Sequence, residues 1–391
     1  MSSSPMIAVP DPVLDIQQRL ESAGFETWCV GGAVRDALLE IPQSDVDLAT
    51  AATPTEVREL FARTVPVGLA HGTVGVLDPE GVLHEVTTFR RDVITDGRHA
   101  VVEFGVSLDE DLARRDFTIN AIAWHPGRRE FRDPFDGRAD LEAGVVRAVG
   151  DPDARFAEDR LRILRAFRFA ARFEFAIDPA TWRAAVRQAT DTSHLSSERV
   201  REEWWKGITR ARDPLHLARL WEESGIATVW LPADHVTACH HLDPDPILAL
   251  ASWRQPVEPI LRLLRCSTVE IARGRAIDRG PAEPVGRSMV AIRRWLASVG
   301  SAANDLMHVR HARTGTPADW LDDVLAVRLA GQPLQRGELA VTGSDLINAG
   351  IADAGPTLGM LLDRLLAHVL ERPEDNQRQT LLAVAREAIP E

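Results

Sequence analysis

The chain is short of cysteine and almost devoid of lysine. Cys29, Cys239 and Cys266 are the only cysteines in 391 residues and lie far apart, which excludes a disulfide framework and the paired-cysteine spacing of a zinc site. A reducing cytoplasm is the compartment that this usage fits. No stretch approaches the run of about eighteen apolar residues that a membrane helix needs. The start, Met1-Ser2-Ser3-Ser4-Pro5, has neither the basic residues nor the apolar core of a secretion signal. No internal repeat or low-complexity tract stands out. Net positive charge is missing too: the formal charge is −13, so blanket attraction to nucleic acid is excluded and phosphate contact has to come from local clusters of cations. Lys206 is the sole lysine, so those cations are arginines, gathered most densely in residues 155–172. A genome-wide preference for arginine explains that usage by itself. Planar guanidinium groups nevertheless suit paired contacts to phosphates and base edges.

A chain of this length exceeds what one hydrophobic core usually supports, so at least two domains are expected. Residues 11–24 carry Val13, Leu14, Ile16 and Leu20 at helical spacing. Phe25-Glu26-Thr27-Trp28-Cys29-Val30 reads as a strand running into Gly31-Gly32, and residues 33–39 read as a helix. Asp45-Val46-Asp47-Leu48-Ala49-Thr50 reads as a second strand. Thr53-Pro54-Thr55-Glu56 is a helix start, with proline at the first position and acid in the first turn. Val74-Gly75-Val76-Leu77, a turn at 78–81, and residues 82–89 make a hairpin. This mixture fits an α+β first part of roughly 145 residues. Beyond Asp151, the stretches 156–175, 179–190, 197–225, 288–312, 317–330 and 356–388 carry helical periodicity, and the second half is expected to be all helical.

Two constellations carry chemistry. Glycines between a strand and a helix let backbone approach a ligand closely, and helix N-termini favour phosphate oxygens; Arg35 lies in the first turn. A tight turn needs the same glycines without any ligand. On a strand, the carboxylates of Asp45 and Asp47 point to one face, and magnesium takes one or two carboxylates plus substrate phosphates. Glu85, on the following hairpin strand, is the third candidate carboxylate, with an exposed strand glutamate as the alternative. The second constellation starts at Arg114-Arg115-Asp116-Phe117-Thr118-Ile119-Asn120-Ala121. There Asp116 and Asn120, four apart, can meet sugar hydroxyls while an arginine meets a triphosphate. It continues in Glu158-Asp159-Arg160-Leu161-Arg162-Ile163-Leu164-Arg165-Ala166-Phe167-Arg168-Phe169. On a continuous helix, Glu158, Arg162 and Arg165 share a face, as approximately do Asp159 and Arg162, with Leu161, Leu164 and Phe169 opposite for packing. A carboxylate accepts from a base's exocyclic amine and a guanidinium donates to ring nitrogen or carbonyl oxygen. The same spacing also describes an ordinary salt-bridged helix.

Gly31-Gly32-Ala33-Val34-Arg35-Asp36, Asp45-Val46-Asp47, the Arg114-Arg115-Asp116 run, Asp133-Pro134-Phe135-Asp136-Gly137 and Glu158-Asp159-x-x-Arg162 occur in this order. Together they resemble the class II CCA-adding enzymes, tRNA nucleotidyltransferases grouped with bacterial poly(A) polymerases. The likeness is close over residues 25–175 and looser around Val341-Thr342-Gly343-Ser344-Asp345-Leu346. It implies a polymerase β-like nucleotidyltransferase head with a β-sheet (1–147), followed by all-α neck and body (148–260) and body and tail (261–391). It implies Asp45 and Asp47 as magnesium ligands; Glu85 stays a catalytic candidate from its place on the hairpin strand. Gly32 and Arg35 fall at phosphates, and Arg114 or Arg115 at the nucleotide. Asp159 and Arg162 would be the pair choosing C and A, with Arg165, Arg168 and Glu158 beside them.

Residues 67–74 and 85–90 look like the CCA-adding rather than the poly(A) version, and residues 92–99 resemble the mobile loop of enzymes that switch from C to A. The implied substrates are tRNA, bound at its acceptor arm, CTP and ATP. CC-adding, A-adding and poly(A)-polymerase sister activities stay open, as does a non-catalytic RNA-binding protein. His240-His241-Leu242-Asp243 lacks the adjacent His-Asp pair of a phosphohydrolase, so no phosphodiesterase activity is expected.

Overall fold

In the computed structural model, which describes residues 7–42, 45–95 and 100–388, the first half is built around a strand with both faces covered. That strand, β1 (Thr27–Val30), follows α1 (Asp11–Ser22), whose Val13, Ile16 and Leu20 turn inward at helical spacing. Next come α2 (Gly32–Leu38), β2 (Asp47–Thr50) and α3 (Pro54–Leu60). The expected helix start is a full capping box, with Thr53 N–H donating to Glu56 Oε2 at 2.7 Å. Then follow β3 (Thr64–Gly68), β4 (Thr73–Leu77), β5 (Leu83–Thr88), β6 (Arg90–Thr95), β7 (Ala100–Phe104), α4 (Leu108–Ala113), β8 (Ala123–His125), β9 (Glu130–Arg132) and α5 (Gly137–Ala143). The sheet runs β3-β4-β5-β2-β1-β8-β9. All its neighbours are antiparallel except β2 and β5, whose parallel register sets Leu48 beside Val86. One step back in that register stand Asp47 and Glu85. Trp28, Val30, Ala49, Phe89, Leu112 and Ala123 form the core on one side of the sheet. The hairpin β6–β7 pairs separately from the large sheet.

Helices then take over: α6 (Pro152–Glu158), α7 (Leu161–Phe173), α8 (Pro179–Arg187), α9 (Ser197–Arg210), α10 (Pro214–Glu223) and α11 (Ile226–Trp230). Three expectations need correcting. The strand carrying the paired aspartates starts only at Asp47, so Asp45 and Val46 precede it. The arginine-rich segment is two helices, not one. Asp159 is extended (φ −151°, ψ 107°) and ends α6, so the face shared by Glu158, Arg162 and Arg165 is not the surface of a continuous helix. The second half is not purely helical either: β10 (Val145–Val146) pairs with β11 (Ala176–Ile177), and β12 (Asp234–His235) with β13 (Arg254–Gln255).

The chain divides into two compact units, 1–232 and 233–391. The second contains α12 (Pro246–Trp253), α13 (Glu258–Leu263), α14 (Thr268–Arg279), α15 (Met289–Val299), α16 (Ala303–Thr314), α17 (Leu321–Leu329), α18 (Gly343–Asn348), α19 (Pro356–Glu371) and α20 (Arg378–Glu387). Arg273 on α14 ties the start of α12 to α16 through Asp245 (2.6 Å) and Asp305 (2.8 Å). Leu346, Leu361, Leu365, Val369 and Leu381 make a separate core for the last helices. Among the described residues no helix is long and apolar enough to cross a membrane.

Candidate active site

The turn after β1 is where the site begins. Gly31 has φ +77°, and a Cβ there would stand 3.2 Å from Arg115 Nη1 and 3.8 Å from Asp47 Oδ2. Only glycine suits both the backbone angle and the space. Antiparallel pairing of Val30 with Asp47 brings this turn against the start of β2. Burial raises the Asp47 carboxyl to about 6, with Glu85 and Asp45 pushing the same way and Arg115 pulling down. Asp45 and Glu85 themselves are exposed. Both therefore act on Asp47, the innermost of the three. Among the described residues no group of three His, Cys, Asp or Glu side chains is gathered as a metal site.

Opposite these acids lie cations held by hydrogen bonds. Arg114 donates to Asp111 Oδ1 at 2.9 Å and Arg115 to Asp111 Oδ2 at 3.2 Å. The Nε of Arg115 is buried without a hydrogen-bond partner. Arg35 is only 4% exposed. Its Nη1 donates to Asn120 Oδ1 at 2.5 Å, its Nε to Asp36 Oδ1 at 2.8 Å, and its guanidinium lies 5.0 Å from the rings of Phe169 and Phe173. Asn120 Nδ2 in turn donates to Asp116 Oδ1 at 2.8 Å, and Arg165 Nε to Asp116 Oδ2 at 2.7 Å. Burial alone would raise Asp116, but Arg165, Asn120 and Arg162 outweigh it and hold the carboxyl at about 2. Asp116 and Asn120 stand together as their spacing suggests, but through a 3₁₀ turn (Thr118–Asn120) rather than an α-helix, and they bond to each other.

The break between α6 and α7 turns Asp159 toward the same space. Its Oδ1 accepts from Leu161 N–H at 3.0 Å and its Oδ2 from Arg199 Nη2, on α9, at 2.7 Å. Arg162 donates to Glu158 Oε2 at 2.6 Å and to the Arg114 carbonyl at 3.1 Å, so it links the end of α6 and the start of α7 to the residue that follows α4.

The result is a cleft of about 440 Å³ lined by Gly31, Gly32, Arg35, Asp47, Arg114, Arg115, Asp116, Asn120, Asp159, Leu161, Arg162, Arg165, Phe169 and Arg199. Ten of the residues singled out from the sequence meet here. Four do not line it: Asp45, Glu85, Glu158 and Arg168. Glu158 stands behind Arg162. Arg168 is buried and donates to Glu203 on α9 at 2.6 Å. Sequence reasoning left Phe169 and Leu161 on the packing face and did not single out Arg199. The break at Asp159 and the approach of α9 bring them in, and only the arginine preference of the chain hints at Arg199. Of the segment 92–99, residues 96–99 lie outside the described residues.

Residues 27–147 match the family described as the poly A polymerase head domain, and residues 174–234 the one described as the probable RNA and SrmB-binding site of polymerase A. The CCA-adding enzyme of Limosilactobacillus fermentum is 36% identical over 404 residues, spanning 97% of each chain. That of Lacticaseibacillus paracasei is 35% identical over 96% of this chain and 95% of its own. The chain belongs to the CCA-adding enzymes. A solved structure of the Bacillus stearothermophilus CCA-adding enzyme in complex with CTP covers 98% of both chains at 32% identity, with a TM-score of 0.76. The Thermotoga maritima CCA-adding enzyme complexed with tRNA shares the fold at 19% identity, with a TM-score of 0.70. Membership in the CCA-adding enzymes, and the α+β head followed by helices, agree with the reading of the sequence.

Proposed function

We propose that this protein adds C, C and A, without a template, to the 3′ end of tRNA from CTP and ATP. The observation that carries the proposal is the cleft itself, where the Asp47 carboxylate and the Arg115 guanidinium both border the space beside Gly31. Acid on one side and arginine on the other is what joining a hydroxyl to a triphosphate requires. The 3′ oxygen of the RNA loses its proton and bonds to the α-phosphorus, and the bond to the departing pyrophosphate breaks. Asp45 and Asp47 would hold magnesium, whose chemistry there is to acidify that hydroxyl and neutralise the leaving pyrophosphate. Arg114 and Arg115, with Gly32 and Arg35 beside them, bind the phosphates, and Asp116 and Asn120 orient the sugar. Glu85 keeps the outer edge of the carboxylate group negative.

Asp159 and Arg162 read the base. The carboxylate keeps lone pairs for an exocyclic amine, which cytosine and adenine both offer on their pairing edge and uracil lacks. Arg165 borders the same space, while Glu158 and Arg168 brace α7 from behind. The helices after residue 147 contact the acceptor arm by shape and phosphate, as double-stranded RNA is usually bound, and the enzyme works in the cytoplasm. The test is a panel of tRNAs ending before, within and after CC, each given CTP or ATP alone or both, with the products sequenced. C, C and A added in order, then arrest, is expected. Addition of only C or only A, or long A tails on arbitrary RNA, would contradict it.

A further inference from the structure

Asp111 does not line the cleft, yet it is fully buried and holds the two arginines that do. Its Oδ1 accepts from Arg114 Nε and its Oδ2 from Arg115 Nη2. That same Oδ1 lies 3.4 Å from the backbone N–H of Arg90, the first residue of the β6–β7 hairpin. The hairpin is tied to α4 from outside as well: Arg91 donates to Glu103 across the hairpin at 2.9 Å and to Glu110 on α4 at 3.3 Å. One buried carboxylate thus divides its two oxygens among two cleft guanidiniums and one hairpin amide. Arg114 and the Arg90 amide share the same oxygen, so a donor drawn away on one side leaves that oxygen freer for the other.

We propose that Asp111 is the positioning residue for Arg114 and Arg115, and the point at which the β6–β7 hairpin is coupled to the cleft. The proposal rests on the reading that these arginines bind the triphosphate. When phosphate draws them, Asp111 Oδ1 has fewer donors to satisfy and closes on the Arg90 amide. In the other direction, displacement of the hairpin alters how firmly the arginines are aimed.

The first measurement uses the unaltered protein: amide hydrogen exchange at Arg90 with and without CTP and magnesium, no RNA present. Exchange is expected to slow severalfold on CTP binding; unchanged or faster exchange would overturn the coupling. The second compares wild type, Asp111→Asn and Asp111→Glu on tRNA lacking its last three nucleotides. Asp111→Asn keeps the shape but turns an acceptor into a donor facing arginine. KM for CTP and for ATP is expected to rise about tenfold, with kcat and the tRNA KM changing far less, and Asp111→Glu is expected to recover part of the loss. A merely structural role would lower kcat with the active fraction and leave KM alone, which would overturn the positioning role. Should Asp111→Asn not fold, the exchange measurement decides. A wild type that incorporates no nucleotide would instead refute the function proposed above; normal incorporation with an unmoved KM refutes only the role of Asp111.

Discussion

Burial, with Glu85 and Asp45 adding to it, brings Asp47 to about 6, so its charge is lost where most aspartates remain ionised. The consequence for stability has a definite sign. A carboxyl whose pKa is higher folded than unfolded binds protons preferentially in the folded state. Its contribution is fully present below about pH 4 and is lost as pH rises through about 6. At pH 7.5, without metal, the ionised Asp47 therefore costs stability. Asp47→Asn is expected to stabilise the fold in a chelator at that pH by on the order of 2 kcal/mol, seen as a higher unfolding temperature, and the gain should shrink at pH 5. Calorimetry at both pH values checks this; a gain that grew on acidification would reverse the argument. Incorporation should fall as pH drops through about 6 at limiting magnesium, and excess magnesium should move the midpoint lower, because proton and cation compete for one carboxylate.

At the scale of elements, what was legible in the sequence is what is local. Gly31-Gly32 needed only a positive φ and a close approach, and that signal is readable without knowing the fold; the Asp45, Asp47 spacing pointed to the right place, but the strand begins only at Asp47, so the shared face inferred from alternation does not hold. The break between α6 and α7 was not legible, because Asp159-Arg160 offers neither glycine nor proline to stop a helix. The cap that Asp159 makes to Leu161 becomes recognisable only with Arg199 holding its other oxygen. Phe169 fits an apolar helix face by periodicity, and tertiary stacking with Arg35 and Arg165 makes it a cleft wall instead. The Arg199 contact gives a prediction at this scale. Arg199→Ala removes the donor that fixes Asp159, so KM for CTP and ATP should rise roughly tenfold and UTP incorporation should increase. Single-nucleotide competition assays measure both, and unaltered discrimination would detach α9 from base selection.

For the whole molecule, a net charge of −13 places the burden of RNA contact on arginine clusters rather than on overall attraction. RNA affinity supplied by phosphate contacts is lost as counterions compete, whereas a triphosphate in a partly buried cleft is screened less. Raising salt from about 50 to about 200 mM should therefore raise the tRNA KM several times more than the CTP KM; equal sensitivity would argue against a separate RNA-binding surface. The most direct test of the whole account is single-turnover incorporation of labelled CTP into a tRNA lacking its last three nucleotides, comparing the wild type with Asp45→Asn and Asp47→Asn. Both variants are predicted to remain folded and to lose about a thousandfold or more in rate. A folded Asp47→Asn enzyme that incorporates CTP at the wild-type rate would contradict the account.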